Sequence, residues 1–265
     1  MHELAQTVHL TKDFALAWIM AWPRAIALFT MLPFFRNDTM PGLLRFCMVG
    51  ALCLPLAPVL LPQLTASELS GPAFFLLLAK EALIGFVMGL PIALLFWAAE
   101  SMGAMIDNQS GASVASVLNP ASGNDVATLA ALLNQIFMVS FLLLGGMSWL
   151  IDTLYQSYLS WPPTLWWPSF NATGMDWWLG RLDHSLRTAV VLAGPIALGL
   201  FIVELGFGLI GRFAPRMQVF VLAMPIKNVL SVLLLGAYLG TLLPHFGDLA
   251  QTLKEVVRSA LEVTR

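Results

Sequence analysis

Charged residues are scarce in this sequence. Lysine and arginine together number 13 and aspartate and glutamate 15, so charged residues make up only 11% of the 265 residues, against about 25% in soluble domains. So few charges cannot cover a water-facing surface. Hydrophobic residues make up 58%, and the mean hydropathy is +0.81. These proportions exclude a disordered chain, a collagen-like repeat and a disulfide-rich secreted domain, and they predict a polytopic membrane protein.

Cysteine and histidine are also rare. The two cysteines, Cys47 and Cys53, are six residues apart in one apolar run, which places them about 240° apart on a helix, too far to pair. We expect both to be buried as small apolar residues. The four histidines show no metal-ligand spacing, and the net charge of −2 gives no electrostatic reason to bind nucleic acid.

Catalytic and nucleotide-binding motifs are missing. The segment GFGLIG, Gly206–Gly211, matches the dinucleotide pattern by letter, but it lies in an apolar helical run, has no preceding strand and is followed by no suitably placed acid. There is no P-loop, HExxH or GxSxG motif. We therefore predict no enzymatic activity, no catalytic residue, no metal site and no cofactor.

Long apolar runs are abundant. Six of them predict membrane spans: Phe14–Phe35, Phe46–Leu61, Ala73–Ala99, Val126–Ile151, Thr188–Gly211 and Asn228–Gly247. Runs of this length indicate helices, because only helices and closed barrels satisfy their backbone in lipid. We expect the first run to be retained as a span, without a cleavable signal peptide. Lys and Arg in alternating loops number six against five, so they give no orientation.

Prolines interrupt these runs. They are Pro23, Pro33, Pro55, Pro58, Pro91, Pro195, Pro225 and Pro244. An interior proline removes a hydrogen bond and bends its helix, which is tolerated at membrane depth only where protein or a water-filled cavity covers the freed groups. The predicted fold class is therefore an all-α integral membrane protein, built of helical hairpins with proline-broken apolar helices. Met217–Ile226 is too short to span, and we expect a broken or re-entrant element there.

Two domains are predicted. Residues 1–247 form the polytopic membrane domain, and residues 248–265 form a C-terminal amphipathic helix outside the bilayer core. Apolar residues recur at helical spacing in this last segment, charges fill the other face, and Asp248 can cap its start.

The linker Glu100–Asp125 is rich in Gly, Ser and Asn and contains no Lys or Arg. Its length and composition favour a compact functional loop over a simple connector. Two GxxxG pairs, Gly85/Gly89 and Gly236/Gly240, predict close helix packing, with a partner helix in this chain or in another.

Five charged residues lie inside or beside apolar runs. They are Arg24, Lys80, Glu81, Glu204 and Lys227. A charge at the centre of a span is unfavourable by roughly 2.5–3.5 kcal/mol, so these side chains should not face lipid unpaired. The alternatives are structural pairing, snorkelling at a helix end, and contact with a polar conduit or with a partner's charge.

The segment Arg212–Asn228 resembles the signature RFAPQ-x-NVF-x-LAMPIK of the FliR/SpaR/SctT family, the export-gate membrane proteins of flagella and type III secretion systems. The signature residues are Arg212, Pro215, Phe220, Pro225 and Lys227. Pro23-Arg24, Lys80-Glu81 with Gly85, and Asp107-Asn108-Gln109 look like further family segments in the family's order. The LAMPIK ending and the form DNQ-x-GAS are more similar to the injectisome branch than to the flagellar branch.

The resemblance implies a subunit of the type III secretion export gate in the bacterial inner membrane, without enzymatic activity. It implies assembly with hydrophobic subunits of the SctR/FliP and SctS/FliQ types, and also of the SctU/FlhB type, into a conduit through which unfolded proteins pass. Membrane lipids are further partners, and nucleic acid is not. The alternatives are a flagellar subunit of the FliR type and a self-contained transporter for a small solute, which predicts repeated spans and a midplane site on broken helices.

The small residues of Gly103–Asn124 can pack tightly and then move, which suggests part of the plug that closes the conduit at rest. The residues assigned to this plug are Gly103, Asp107, Asn108, Gln109, Gly111, Asn119 and Pro120. We expect Arg24, Glu81, Glu204 and Lys227 mainly to hold subunits together, and Lys80 belongs to the same group of subunit-contact or conduit charges.

Overall fold

The computed structural model describes residues 2–36, 39–65, 71–111, 128–164, 173–213 and 219–263. Regular structure in those ranges is entirely helical, which confirms the predicted all-α membrane fold. The α-helices are α1 (His2–Thr30), α2 (Gly42–Cys53), α3 (Ala57–Thr65), α4 (Gly71–Ser110), α5 (Thr128–Leu143), α6 (Gly146–Ser160), α7 (Thr173–Phe213) and α8 (Val219–Val263). Two short 3-10 helices, Pro33–Phe35 and Leu54–Leu56, follow α1 and α2.

Several helical segments are long and apolar enough to cross a membrane. Four qualify singly: Gly42–Pro62, Phe74–Ser110, Asp183–Phe213 and Ala223–Asp248. The bent pair α5 and α6 makes a fifth if it is counted as one span. The protein is therefore a multi-pass membrane protein, and the described ranges contain four or five candidate spans where the sequence predicts six.

The first predicted span, Phe14–Phe35, is not among these candidate spans. Its helix, α1, ends at Thr30, and Pro33–Phe35 forms a 3-10 helix instead of continuing it. One face of α1 is fully buried within the protein, including Ala17, Met20 and Leu28. The helix thus serves as a core element.

Several prolines do not break their helices. Pro23, Pro91, Pro195 and Pro225 all lie inside continuous helices. The sharp bend in the predicted span Val126–Ile151 falls instead at Gly145, whose φ of +75° is in the left-handed region that favours glycine. That run therefore forms two helices, α5 and α6, where the sequence predicts one.

The stretch Met217–Ile226 does not form a separate re-entrant element. Its residues from Val219 onward are the first turns of α8, which continues without interruption to Val263. Pro225 lies only seven residues into the helix, so it removes one hydrogen bond near the helix start and leaves the remainder intact. The predicted domain boundary between residues 247 and 248 falls within the same helix, and the separate role of residues 248–265 stays a prediction.

The chain divides into two compact units. The first unit comprises Met1–Ala93, Gly145–Leu179 and Gln251–Arg265, and the second comprises Leu94–Leu144 and Gly180–Ala250. In the first unit, α1 packs against α2 and α3. The Trp18 indole N–H donates to the Gly50 carbonyl at 2.9 Å, which joins α1 to α2.

Aromatic rings form the core of the second unit. Phe96 of α4 lies 4.8 Å from Phe137 and 5.5 Å from Phe141 of α5, measured between ring centroids. Phe137 in turn lies 5.1 Å from Phe246 of α8. These pairs meet edge to face, an arrangement that adds about 0.5–1.5 kcal/mol per pair beyond their burial.

Both cysteines are free. Cys53 is buried, with its Sγ 3.5 Å from the Ala21 carbonyl oxygen. Cys47 is exposed, so the expected burial holds for Cys53 and is wrong for Cys47.

Candidate functional site

A buried charge cluster lies in the first unit. Its centre is Arg24 of α1, whose guanidinium meets the Glu81 carboxylate of α4. Arg24 Nη2 lies 2.6 Å from Glu81 Oε2, and Arg24 Nε donates to the same oxygen at 2.7 Å. Neither side chain is exposed. Such a pair in a dry environment is held by charge-assisted hydrogen bonds on both partners.

The remaining donors of Arg24 find partners near the end of α6. Nη1 donates to Ser157 Oγ at 3.0 Å, and Nη2 donates to the Trp161 carbonyl at 3.0 Å. The guanidinium also lies 4.1 Å from the centroid of the Tyr158 ring, within the range of a cation–π contact. Arg24 therefore joins α1, α4 and α6 at one point.

Lys80 is a second cation on the same carboxylate. Its Nζ lies 2.9 Å from Glu81 Oε1 and donates to the Pro163 carbonyl at 2.7 Å. We call Arg24, Lys80 and Glu81 the Arg24 cluster. Of the five charges predicted to need partners, these three thus find them within the chain.

Glycines of α4 allow α1 to approach closely enough for this cluster to form. A Cβ at Gly85 would overlap the backbone carbonyl of Arg24, and one at Gly89 would lie 3.0 Å from the Leu28 carbonyl oxygen. The first GxxxG pair therefore packs against a helix of this chain. For the second pair, a Cβ at Gly236 or Gly240 would meet no heavy atom within 4 Å among the described residues.

Sequence reasoning misses the tyrosines and the serine around this cluster. Tyr158 donates its hydroxyl to the Ala21 carbonyl at 2.7 Å, and Tyr155 donates to the Leu52 carbonyl at 2.9 Å. Ser157 lies between them and accepts from Arg24. The sequence does contain a signal for them. Two of the three tyrosines of the chain and Ser157 lie within four residues of one another in an apolar run.

The second unit contains the base of the predicted plug. Asp107, near the end of α4, accepts hydrogen bonds through Oδ2 from the backbone N–H groups of Leu129 at 2.9 Å and Ala130 at 3.1 Å. These are first-turn amides of α5, which lack partners within their own helix, so Asp107 acts as a cap supplied by another helix. A Cβ at Gly103 would overlap the backbone of Ala130. We call Gly103, Asp107, Leu129 and Ala130 the loop base.

Gly111 ends this part of the chain with a φ of +85°, which favours glycine after a helix. Asn108 is exposed and Gln109 is partly exposed beside it. The structure therefore describes five of the seven predicted plug residues. The other two, Asn119 and Pro120, lie outside the described residues.

The last two predicted charges also meet. Lys227 Nζ of α8 lies 3.3 Å from Glu204 Oε2 of α7; the Lys227 side chain is 10% exposed and that of Glu204 51%. The pair lines an open cavity of about 530 Å³, which we call the Glu204 cavity. Its walls also include Asn108 and Gln109 of α4, Phe207 and Gly208 of α7, and Ala223 and Met224 of α8.

The signature residues are placed only in part. Arg212 is exposed in the last turn of α7, while Phe220, Pro225 and Lys227 belong to α8. Pro215 lies outside the described residues. Within the described ranges, no group of three or more His, Cys, Asp or Glu side chains is placed to hold a metal ion.

Comparison with known proteins gives one family and a consistent set of relatives. The family described as bacterial export proteins, family 1, matches residues 15–253. The chain is 35% identical over 231 residues to the Yop proteins translocation protein T of Yersinia pestis, covering 87% of this chain and 88% of that protein. It is 31% identical over 237 residues to the surface presentation of antigens protein SpaR of Salmonella typhimurium, covering 89% and 86%.

A flagellar relative is less similar. The chain is 25% identical over 227 residues to the flagellar biosynthetic protein FliR of Bacillus subtilis, covering 84% of this chain and 86% of that protein. The higher identities fall on the translocation and SpaR proteins. The chain belongs to family 1 of the bacterial export proteins, and within it fits the type III secretion branch better than the flagellar one.

Proposed function

We propose that this protein is a subunit of a type III secretion export gate in the bacterial inner membrane. In this proposal it assembles with SctR/FliP-type and SctS/FliQ-type subunits, and with the SctU/FlhB type, into a conduit for unfolded proteins. The observation that carries the proposal is the 35% identity with a translocation protein over 87% of the chain. The apolar helices and their extensive exposed surface support it, because both suit a subunit within a membrane assembly.

Co-purification tests this function directly. A tag on the C-terminus, extraction of the host membranes in mild detergent and native mass spectrometry should recover a complex with two families of small hydrophobic proteins. Recovery of a lone, monodisperse chain from cells that express those proteins would contradict the proposal. The masses of the complex would also give the subunit numbers.

We further propose that Gly103–Asn124 forms part of the plug of the conduit. The loop base supports this, because Asp107 holds the end of α4 against the start of α5 and so fixes both ends of the intervening segment. A gate segment needs such fixed ends if it is to close again after a polypeptide has passed. Gly103, which leaves no room for a side chain beside Ala130, contributes to the same fixation.

Removing part of the segment between Gly111 and Thr128 tests the plug. Cells with the shortened segment should admit small solutes that the wild type excludes, as measured by uptake of a membrane-impermeant dye. As a control, a variant keeps the wild-type length of the segment and scrambles its sequence. This variant separates the effect of sequence from the effect of length. If cells with the shortened segment assemble the complex and exclude the dye as well as the wild type does, the plug proposal is contradicted.

For the charges, we propose that the Arg24 cluster supports assembly by fixing the first unit, and that Glu204 and Lys227 act at a contact with another subunit. Burial of Arg24 and Glu81 supports the first role, and the half-exposed Glu204 supports the second. Alanine at these positions should lower the recovery of the complex. An intact complex with lost secretion would instead assign the altered residue to the conduit.

A further inference from the structure

Glu204 occupies an unusual place for an acid. It lies in the apolar span Asp183–Phe213 of α7, nine residues before Phe213 and thus about 14 Å along the helix axis from that end. Its neighbours Phe201, Ile202 and Leu205 are apolar and exposed. A carboxylate exposed to hydrocarbon at such a position is strongly unfavourable, so its exposed part needs a polar partner.

Lys227 satisfies only part of the Glu204 carboxylate. The ion pair is 3.3 Å long, and it leaves half of the Glu204 side chain exposed. A carboxylate accepts about four hydrogen bonds, and Lys227 is its one ionic partner among the described residues. Among the described residues, the outward side of the carboxylate is therefore open to a further donor.

The Glu204 cavity gives such a donor room. It is open, and apolar side chains, including Phe207 and Met224, form part of its wall. A Cβ at Gly208 would meet no heavy atom within 4 Å, so a neighbouring helix can approach this face of α7 closely. The amides of Asn108 and Gln109 line the same cavity and add acceptor oxygens beside Glu204.

The exposure of the two charged groups indicates the sign of the donor. Glu204 and Lys227 are the two charged side chains among the described residues that line the cavity. The Lys227 side chain is 10% exposed and that of Glu204 is 51% exposed. The accessible charge of the pair is therefore the negative one, and it complements a basic partner.

We propose that the Glu204 cavity binds a lysine or arginine side chain carried by a transmembrane helix of a neighbouring export-apparatus subunit. This inference rests on the proposed function. The stem of the side chain lies along Phe207 and Met224, and its charged end meets Glu204, which then bridges the partner's cation and Lys227.

Photocrosslinking tests the contact in the assembled complex. A photoreactive amino acid replaces Leu205 or Leu209, which are exposed on α7 and follow the cavity-lining residues Glu204 and Gly208 in the sequence, and Val232, exposed on α8, serves as the control position. We expect α7 adducts to another subunit, at a peptide with a Lys or Arg within one helical turn of the crosslink. Adducts to lipid alone, to this chain alone, or to a helix without a cation would overturn the proposal.

Charge reversal provides the second test. Glu204→Lys places like charges together and should lower the recovery of the crosslinked subunit by more than about tenfold, whereas Glu204→Gln should lower it less. Reversing the partner's cation to Glu should restore recovery with Glu204→Lys. Asp183→Asn, at the exposed start of the same span, is the matched control and should have no effect.

Different results would contradict the cation contact and the export-gate function. If the wild-type complex is recovered and Glu204→Lys leaves it unchanged, the cation contact is wrong and the export-gate function stands. If no complex with hydrophobic subunits is recovered from the wild type, the function and the contact are both wrong.

Discussion

Arg24 and Glu81 lie 57 residues apart in the chain, yet their charged groups meet at 2.6 Å with neither side chain exposed. The pair joins α1 to α4, and hydrogen bonds from the same guanidinium extend the connection to α6. A single arginine thereby links three helices of the first unit.

Removing one partner of this pair should be severe. Glu81→Ala leaves the Arg24 guanidinium buried beside Lys80 without its carboxylate, and we expect a loss of about 3–5 kcal/mol in the free energy of unfolding. Tryptophan fluorescence during thermal unfolding in detergent measures the change. Lys12→Ala, at an exposed position of α1, is the control and should stay within about 0.5 kcal/mol of the wild type. Equal unfolding of Glu81→Ala and the control would contradict the structural role.

The two GxxxG pairs give a matched comparison. Gly85→Ala drives a methyl group into the Arg24 carbonyl and should destabilise the chain by about 1–3 kcal/mol or more, because the atoms it meets are backbone. Gly236→Ala meets nothing within 4 Å among the described residues, so it should not destabilise the isolated chain and should raise the free energy of unfolding by at most about 1 kcal/mol, because alanine favours a helix over glycine. Similar unfolding temperatures for the two variants would show that α1 and α4 do not pack as closely as described.

Loss of the cap at the loop base should loosen the start of α5. Asp107→Ala removes the acceptor for the Leu129 and Ala130 amides, and loss of such a cap is worth about 0.5–2 kcal/mol. Hydrogen exchange in detergent should become faster at these two amides. Ser110→Ala removes only a hydroxyl that donates to the Asp107 carbonyl and should leave their exchange unaltered. Unchanged protection in Asp107→Ala would argue against the cap.

Tyr158 has two separable roles. Tyr158→Phe keeps a ring next to Arg24 and loses the hydrogen bond to the Ala21 carbonyl, which should lower the free energy of unfolding by about 0.5–1.5 kcal/mol. Tyr158→Leu also loses the cation–π contact and should be less stable again. Chemical unfolding of both variants measures the difference. If the two variants unfold alike, the aromatic ring contributes no stability beyond what a leucine side chain provides.

The helical fold and the family can be predicted well from the sequence because both depend on local patterns. Long apolar runs indicate helices wherever they occur, and the stretch from Arg212 to Lys227 carries a recognisable motif. The number of spans is less predictable, because it depends on where helices end and bend. Gly145 produces a bend that no proline marks, and Pro225, marked as a break, lies inside a continuous helix.

The pairing of the charges could not be derived from the sequence. Local pattern shows that Arg24 needs partners, but Ser157 and Trp161 lie more than 130 residues away and supply a hydroxyl and a carbonyl, which carry no charge signal. Glu204 and Lys227 lie on successive long helices, and their meeting depends on how α7 and α8 pack.

The spread of the Arg24 contacts along the chain also sets an order for biosynthesis. At a synthesis rate of roughly 5–20 residues per second, about 3–11 s pass between the synthesis of Arg24 and that of Glu81. The interval between Arg24 and Trp161 is more than twice as long. During that interval the nascent first helix holds a cation without its final acceptors. The newly made chain therefore depends on water, lipid headgroups or the insertion machinery to accommodate Arg24 until α6 arrives, and truncated chains that end before α6 are expected to be preferred targets of membrane proteases.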